Sequence, residues 1–233
     1  MDHSKRLFVF WTGSNKLSSN RLRCLGSIVS CSGVNVEYVN DANLSRWLVA
    51  PLHPAYKFLS LTHRSDYLRA YFMHYHGGGY SDIKQCHFDW STYFDRLESS
   101  DKAMMIGYRE RRREDIASLD EKTKDLYHFL PGMGLFIFKP ASSLTSAWLG
   151  GVNDILDKAL PSLQQFPGTY HPRAITGGVH SPALADCIRF QGSRYPFSWN
   201  ALLGGVLHPI LASPTFINAL LLEMPYVNLL PYR

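Results

Sequence analysis

The chain has 233 residues, 45% hydrophobic and 13% aromatic, enough to bury a core and too aromatic for a disordered segment. Its 24 Lys and Arg outnumber 19 Asp and Glu for a net charge of +5, a mild bias that suits an anionic ligand such as a nucleotide diphosphate. No nucleic-acid motif accompanies that charge, so a basic surface or nucleic-acid binder is the weakest function class.

Residues 7–11, Leu-Phe-Val-Phe-Trp, form a continuous apolar run stopped by Thr12-Gly13-Ser14-Asn15, which reads as a buried parallel strand and a tight turn. Residues 20–30 place Leu22, Leu25, Ile28 and Val29 at helical spacing. Residues 34–39 alternate and read as a second strand. Strand, helix, strand opens a doubly wound α/β unit. A short helix is expected over 42–48 and a longer one over 60–76, closed by Gly77-Gly78-Gly79. Strand character follows in 80–83, and again in 134–138.

The charged stretch 108–124, with Arg109, Arg111, Arg112 and Arg113, reads as an exposed helix or loop. Its functional alternative is a lid or a contact to an anionic acceptor. A helix over 142–160 is expected to end at Pro161. Residues 164–205 read as long loops over a site, and a final helix is expected after Pro214. There are no repeats and no linker, so one domain is the simplest organisation.

The four cysteines, Cys24, Cys31, Cys86 and Cys187, form no Cys-x-x-Cys pair, and reduced, buried thiols are the expectation. The N-terminal apolar run is short for a secretory leader. No uncharged run reaches the ~18 residues of a spanning helix. A soluble, cytoplasmic protein without a transmembrane segment is therefore expected. The run 216–230, interrupted by Glu223 and Pro225, could rest on a membrane surface, although a buried helix is the plainer reading.

The chemistry concentrates in residues 63–84. Asp66 and Arg69 share a helical face at i, i+3. The glycines allow a sharp turn that brings Asp82 toward Asp66. A carboxylate at a strand end beside a glycine turn is where α/β folds bind ligands. Arg64, Asp66 and Arg69 alone would more often be a helix-surface ion-pair set. Beside the glycine turn and Asp82, a site is favoured.

Arg64-Ser65-Asp66, Arg69, Gly77-Gly78, Tyr80 and Asp82 together resemble the core of DXD-type glycosyltransferases, in particular the capsular-polysaccharide-synthesis and mannosyltransferase-like families. Residues 10–13, 52–56, 195–199 and 207–209 resemble further segments of those families, less specifically. The resemblance implies a GT-A fold, a Rossmann-like, mostly parallel mixed sheet flanked by helices. About residues 1–90 would form the nucleotide-sugar half and about 91–233 the acceptor half. It implies a nucleoside-diphosphate sugar as donor, UDP favoured over GDP, and a glycan or glycoprotein as acceptor in polysaccharide synthesis or protein glycosylation.

Under that resemblance, Trp11, Thr12, Gly13, Arg64, Asp66, Gly78, Gly79 and Asp82 would contact the nucleotide sugar. Asp66, Arg69, Asp82 and Lys84 would carry the chemistry. Trp199 and Asn200 would meet the acceptor. Trp11 and Trp199 have core packing as an equal or better alternative. The family's second Asp is here Lys84. Positions i and i+2 of a strand share a side, so Asp-Ile-Lys presents one carboxylate and one ammonium where the family presents two carboxylates. Either a divalent ion, Mn²⁺ rather than Mg²⁺, binds through Asp82 and His208, or Lys84 itself neutralises the diphosphate. His208 before Pro209 is otherwise a packed or capping histidine. Asp89 and Asp186 qualify as general bases by residue type only. His63, His74, His76 and His87 show no metal spacing. An inactive nucleotide- or glycan-binding module is the second function class.

Overall fold

The computed structural model describes residues 5–118, 120–168 and 194–226. β1 (Arg6–Trp11), α1 (Ser19–Cys31) and β2 (Asn35–Asn40) form the expected opening unit, with β1 and β2 paired in parallel from Arg6↔Asn35 to Trp11↔Asn40. α2 (Leu61–Tyr75) leads into β3 (Gly78–Ser81), which pairs parallel to β1 on its other edge. The rest comprises α3 (Ser91–Glu98), β4 (Met105–Arg109), α4 (Glu121–Lys124), β5 (Pro131–Phe138), α5 (Ser143–Gln165), α6 (Gly204–Leu211) and β6 (Leu220–Leu222).

The six strands make one sheet in the order β2-β1-β3-β5-β4-β6. β5 runs antiparallel to both β3 and β4, and β6 is parallel to β4. All strands but β5 therefore point the same way, and the C-terminal ends of β1, β3, β4 and β6 share one edge. The fold is α/β, with a mostly parallel mixed sheet flanked by helices in a single domain.

Two apolar layers cover the sheet. On one face Phe8, Phe10, Tyr80, Phe136 and Phe138 pack against Phe72 of α2 and Trp148 of α5. On the other, Leu7, Val9, Ile106, Leu135 and Ile137 pack with Ile28 of α1, Trp90 at the start of α3 and Phe94 within it. Alternate residues of β1 and β5 thus serve opposite faces, which is why both strands read as unbroken apolar runs.

The structure corrects several expectations. β4, α3 and α6 lie where no element was expected. Residues 108–124 form no long helix; they hold the end of β4, a 3₁₀ turn at Arg113–Asp115 and the single turn of α4. α5 runs through Pro161 to Gln165. That proline is exposed, while Leu163 beyond it is fully buried, so core packing carries the helix past one lost hydrogen bond. Among the described residues after Pro214 there is a turn and strand β6, not a helix. Most of the loop region expected over 164–205, with Cys187 and Asp186, lies outside the described residues. Of the other thiols, all free, only Cys86 is buried, and Cys31 is exposed.

Candidate functional site

The sheet order places a topological switch between β1 and β3. The chain leaves β1 through α1 to pair on one side, then returns through α2 to pair on the other. Helices on opposite faces leave a crevice outside the strand ends at such a point, the usual ligand position in open α/β sheets. Asp66, Arg69 and Asp82 meet there, with Lys84 beside them.

α2 is set by Ser60, whose side chain accepts from His63 N as an N-cap. The helix start is tied to the loop after β1 by Thr12 Oγ1, which donates to Leu61 O at 2.6 Å. Trp11 Nε1 donates to Asn15 O at 2.7 Å and closes that loop. A Cβ on Gly13 would lie 2.4 Å from Asn15 Oδ1 and 3.0 Å from Leu61 Cδ1, so the turn has no room for a side chain unless Asn15 moves.

Three residues after Asp66, Arg69 reaches across to the end of β3. Its Nη2 donates to Asp82 Oδ1 at 3.1 Å and its Nη1 to Met133 O at 3.1 Å. The guanidinium also stacks 4.2 Å from the Tyr80 ring centroid. Tyr80 OH donates to the same Asp82 oxygen at 2.6 Å, and the Ser65 hydroxyl donates to Tyr80. Asp82 N donates to Gly134 O at 2.8 Å, fixing the backbone where β3 ends.

Asp66 is 2% exposed, with Arg69 Nη1 3.9 Å away. Burial pushes its carboxyl up to about 7, Asp82 adds to the rise and Arg69 opposes it. Lys84, 7% exposed, moves the other way: burial and neighbouring Arg21 lower its ammonium to about 8, partly offset by Asp82 and Cys24. The cluster thus holds two carboxyl groups and two basic side chains in a poorly hydrated place, with the proton affinities of Asp66 and Lys84 both moved toward neutrality.

The motif geometry departs from the strand expectation. β3 stops at Ser81, and Lys84 N donates to Asp82 O at 2.7 Å in a three-residue turn. Asp82 and Lys84 are therefore not successive same-side residues of a strand. Asp82 faces Arg69 of α2, while Lys84 sits toward Arg21 and Cys24 of α1, the Arg21 guanidinium donating to Ile83 O.

The glycines have internal reasons. Gly77 (φ 62°) and Gly78 (φ 84°) adopt the left-handed conformation that ends α2 and starts β3. A Cβ on Gly78 would meet Arg6 O at 2.7 Å, and one on Gly79 would meet Leu7 and Trp90 at 3.0 and 3.2 Å. The close approach that Gly78 and Gly79 permit is to protein atoms of the sheet and α3.

Arg64 is not brought to the cluster. It lies two residues from Asp66, roughly 200° around the helix, and its Nε and Nη2 donate to Leu59 O and Lys57 O at 3.2 and 2.8 Å. His208 is also elsewhere. It is fully buried in α6, and its Nε2 donates to Pro131 O at 2.9 Å, while Nδ1 has no hydrogen-bond partner. Burial lowers its pKa to about 4, so the ring is neutral. This is the packed-histidine alternative rather than the metal ligand. Among the described residues no three His, Cys, Asp or Glu side chains are grouped to hold a metal. Asp82 Oδ1 already accepts from Arg69 and Tyr80, with Lys84 close enough to be held up by it. A donor set so rich in cations does not suit a divalent ion.

Trp199 and Asn200 do reach the same end of α2. His63 Nε2 faces Ser198 O and Trp199 O at 3.0 and 3.2 Å, so it carries the proton, and Nδ1 faces Tyr195 OH at 2.8 Å. Asn200 O accepts from Gly205 N at 2.9 Å and helps start α6. His63 and Tyr195 are thus the link that seats this segment beside the crevice, a role that residue spacing did not signal. The carbonyls of Met133 and Gly134 were equally invisible, since any residue supplies them.

No protein-family model matches the chain, and no curated protein matches it.

Proposed function

We propose that the chain is a nucleotide-sugar-dependent glycosyltransferase of GT-A type whose donor lies in the crevice between the C-terminal ends of β1 and β3. The observation that carries this reading is the Asp66–Arg69–Asp82 cluster at the sheet's switch point, with Lys84 beside it. Donor transfer breaks the bond between the anomeric carbon and the phosphate oxygen, and the diphosphate leaves with added negative charge. Fixed cations in a poorly hydrated site stabilise that charge effectively. Lys84 is suited to be this counter-charge, a compact ammonium whose field burial strengthens. Arg69 holds Asp82 in place, and the two carboxyl groups are suited to sugar or ribose hydroxyls. Thr12 and Gly13 would present the loop after β1 to the nucleotide, UDP in preference to GDP. The acceptor would be a glycan hydroxyl near Trp199 and Asn200.

Of the two charge-neutralising schemes, the cation-rich surroundings of Asp82 favour Lys84 over Mn²⁺. A second reading, a module that binds nucleotide without turnover, rests on the same lysine. Consumption of donor separates the two. Incubation with a panel of UDP- and GDP-sugars and mixed glycans should release nucleoside diphosphate, and Lys84→Ala should reduce the rate at least tenfold. Nucleotide binding without release for any donor would favour the module.

A further inference from the structure

The arginine-rich run that begins at the end of β4 contains a second feature at the same sheet edge. An open groove of about 350 Å³ is lined by Arg109, Glu110, Arg111, His128, Leu222, Met224 and Tyr226. The run divides sharply by partner. Arg112 pairs with Asp115 through Nε and Nη2 at 2.9 and 2.7 Å. Arg113 pairs with Asp125 and Glu121 at 2.7 and 2.9 Å. Arg109 and Arg111, both exposed, line the groove, and neither forms an ion pair among the described residues.

The groove has the other parts of a ring-binding site. The Arg111 guanidinium lies 3.9 Å from the Tyr226 ring centroid, which fixes an aromatic wall under a cation. Leu222 and Met224 give an apolar floor. Glu110 is 7% exposed yet lines the groove, and its Oε1 accepts from Tyr108 OH at 3.2 Å. Tyr108 is itself locked over Gly132, where a Cβ would come 1.9 Å from the phenol ring. A buried carboxyl group held by a fixed phenol keeps an oxygen free to accept from a ligand hydroxyl. Burial raises its carboxyl to about 7, with Asp115 adding and Tyr108 and Arg112 opposing.

We propose that this groove is a binding subsite for a hydroxylated ring bearing an anionic group, such as a sugar phosphate. Arg109 and Arg111 take the anion, Leu222 and Tyr226 line the ring position and Glu110 accepts a hydroxyl. β3 and β4 run parallel with β5 between them, so the subsite opens at the edge that carries Asp82. This rests on the transferase reading for its role as an acceptor position; the binding itself does not depend on that reading.

Calorimetry at low salt with glucose 6-phosphate, glucose and inorganic phosphate tests it. Glucose 6-phosphate should bind saturably and at least tenfold more tightly than either partial ligand. The double variant Arg109→Ala/Arg111→Ala, altered only at exposed positions, should lose at least tenfold, and Asp82→Asn should bind as the parent does. Equal affinity for inorganic phosphate, an unaffected double variant, or no saturable binding would each overturn the proposal. Titrating UDP into the same double variant keeps failure here distinct from failure of the donor site.

Discussion

Arg69 Nη2 donates to Asp82 Oδ1 at 3.1 Å, and this bond joins the middle of α2 to the residue that follows β3. The same guanidinium holds Met133 O and covers Tyr80. It thereby ties α2 to β3 and β5 within the cluster. Removing it leaves the Asp82 charge with one neutral donor. Arg69→Ala should destabilise the fold by about 3 kcal/mol, read as a shift in the urea midpoint at constant slope. Arg69→Lys should recover little, because an ammonium cannot span Asp82 and Met133 O in one plane.

Asp66 gives a pH signature. Its carboxyl is raised to about 7 in the folded chain, against roughly 3.9 when unfolded. The folded state therefore holds the extra proton in that interval, and stability is lost as pH rises from about 4 to 7. Asp66→Asn keeps a neutral group of the same shape. Relative to the parent, the variant should gain roughly 2–3 kcal/mol between pH 5 and pH 8. Urea titrations of both proteins at the two pH values measure the difference; equal shifts would show that Asp66 is ionised in the fold.

His208 gives the opposite sign. Its pKa falls to about 4 on burial, below the unfolded value of about 6.5. The unfolded chain binds the proton first, so this contribution is complete above pH 6.5 and is lost as pH falls toward 4. His208→Asn should flatten the acid limb of the stability curve, and added Mn²⁺ should leave the melting temperature of the parent unchanged.

Two glycines separate packing from backbone effects. Gly132→Ala drives a methyl into the fully buried Tyr108 ring and should cost about 1–3 kcal/mol. Gly150 sits in α5 with nothing within 4 Å of a Cβ, so Gly150→Ala should stabilise by up to about 1 kcal/mol. Thermal unfolding of the two variants should move in opposite directions.

The opening β1-α1-β2 unit was legible because each element carries its own period: a two-faced apolar strand, a helical stripe and a short alternation. β4 was not, because Met105-Ile106-Gly107-Tyr108 is short, contains a glycine and merges into a run of charge. β6 is a leucine triplet within a longer apolar stretch, where length favours a helix by pattern and only pairing with β4 makes a strand.

The site was legible where chain-local geometry decides it. Asp66, Arg69 and Asp82 meet because i, i+3 spacing on α2 and the glycine turn bring them together. Arg64 was misread because two residues along a helix point nearly opposite ways. Glu110 was hidden inside a charge run whose members differ only in which partners the fold supplies.

A nucleoside diphosphate bound at the switch-point cluster would take side-chain cations as its counter-charge. Calorimetry with UDP and GDP, each with Mn²⁺ and with EDTA, measures this directly. Binding should be saturable, tighter for UDP than for GDP, undiminished by EDTA and weakened at least tenfold by Lys84→Ala. Absence of saturable binding to either nucleotide under both conditions would contradict it.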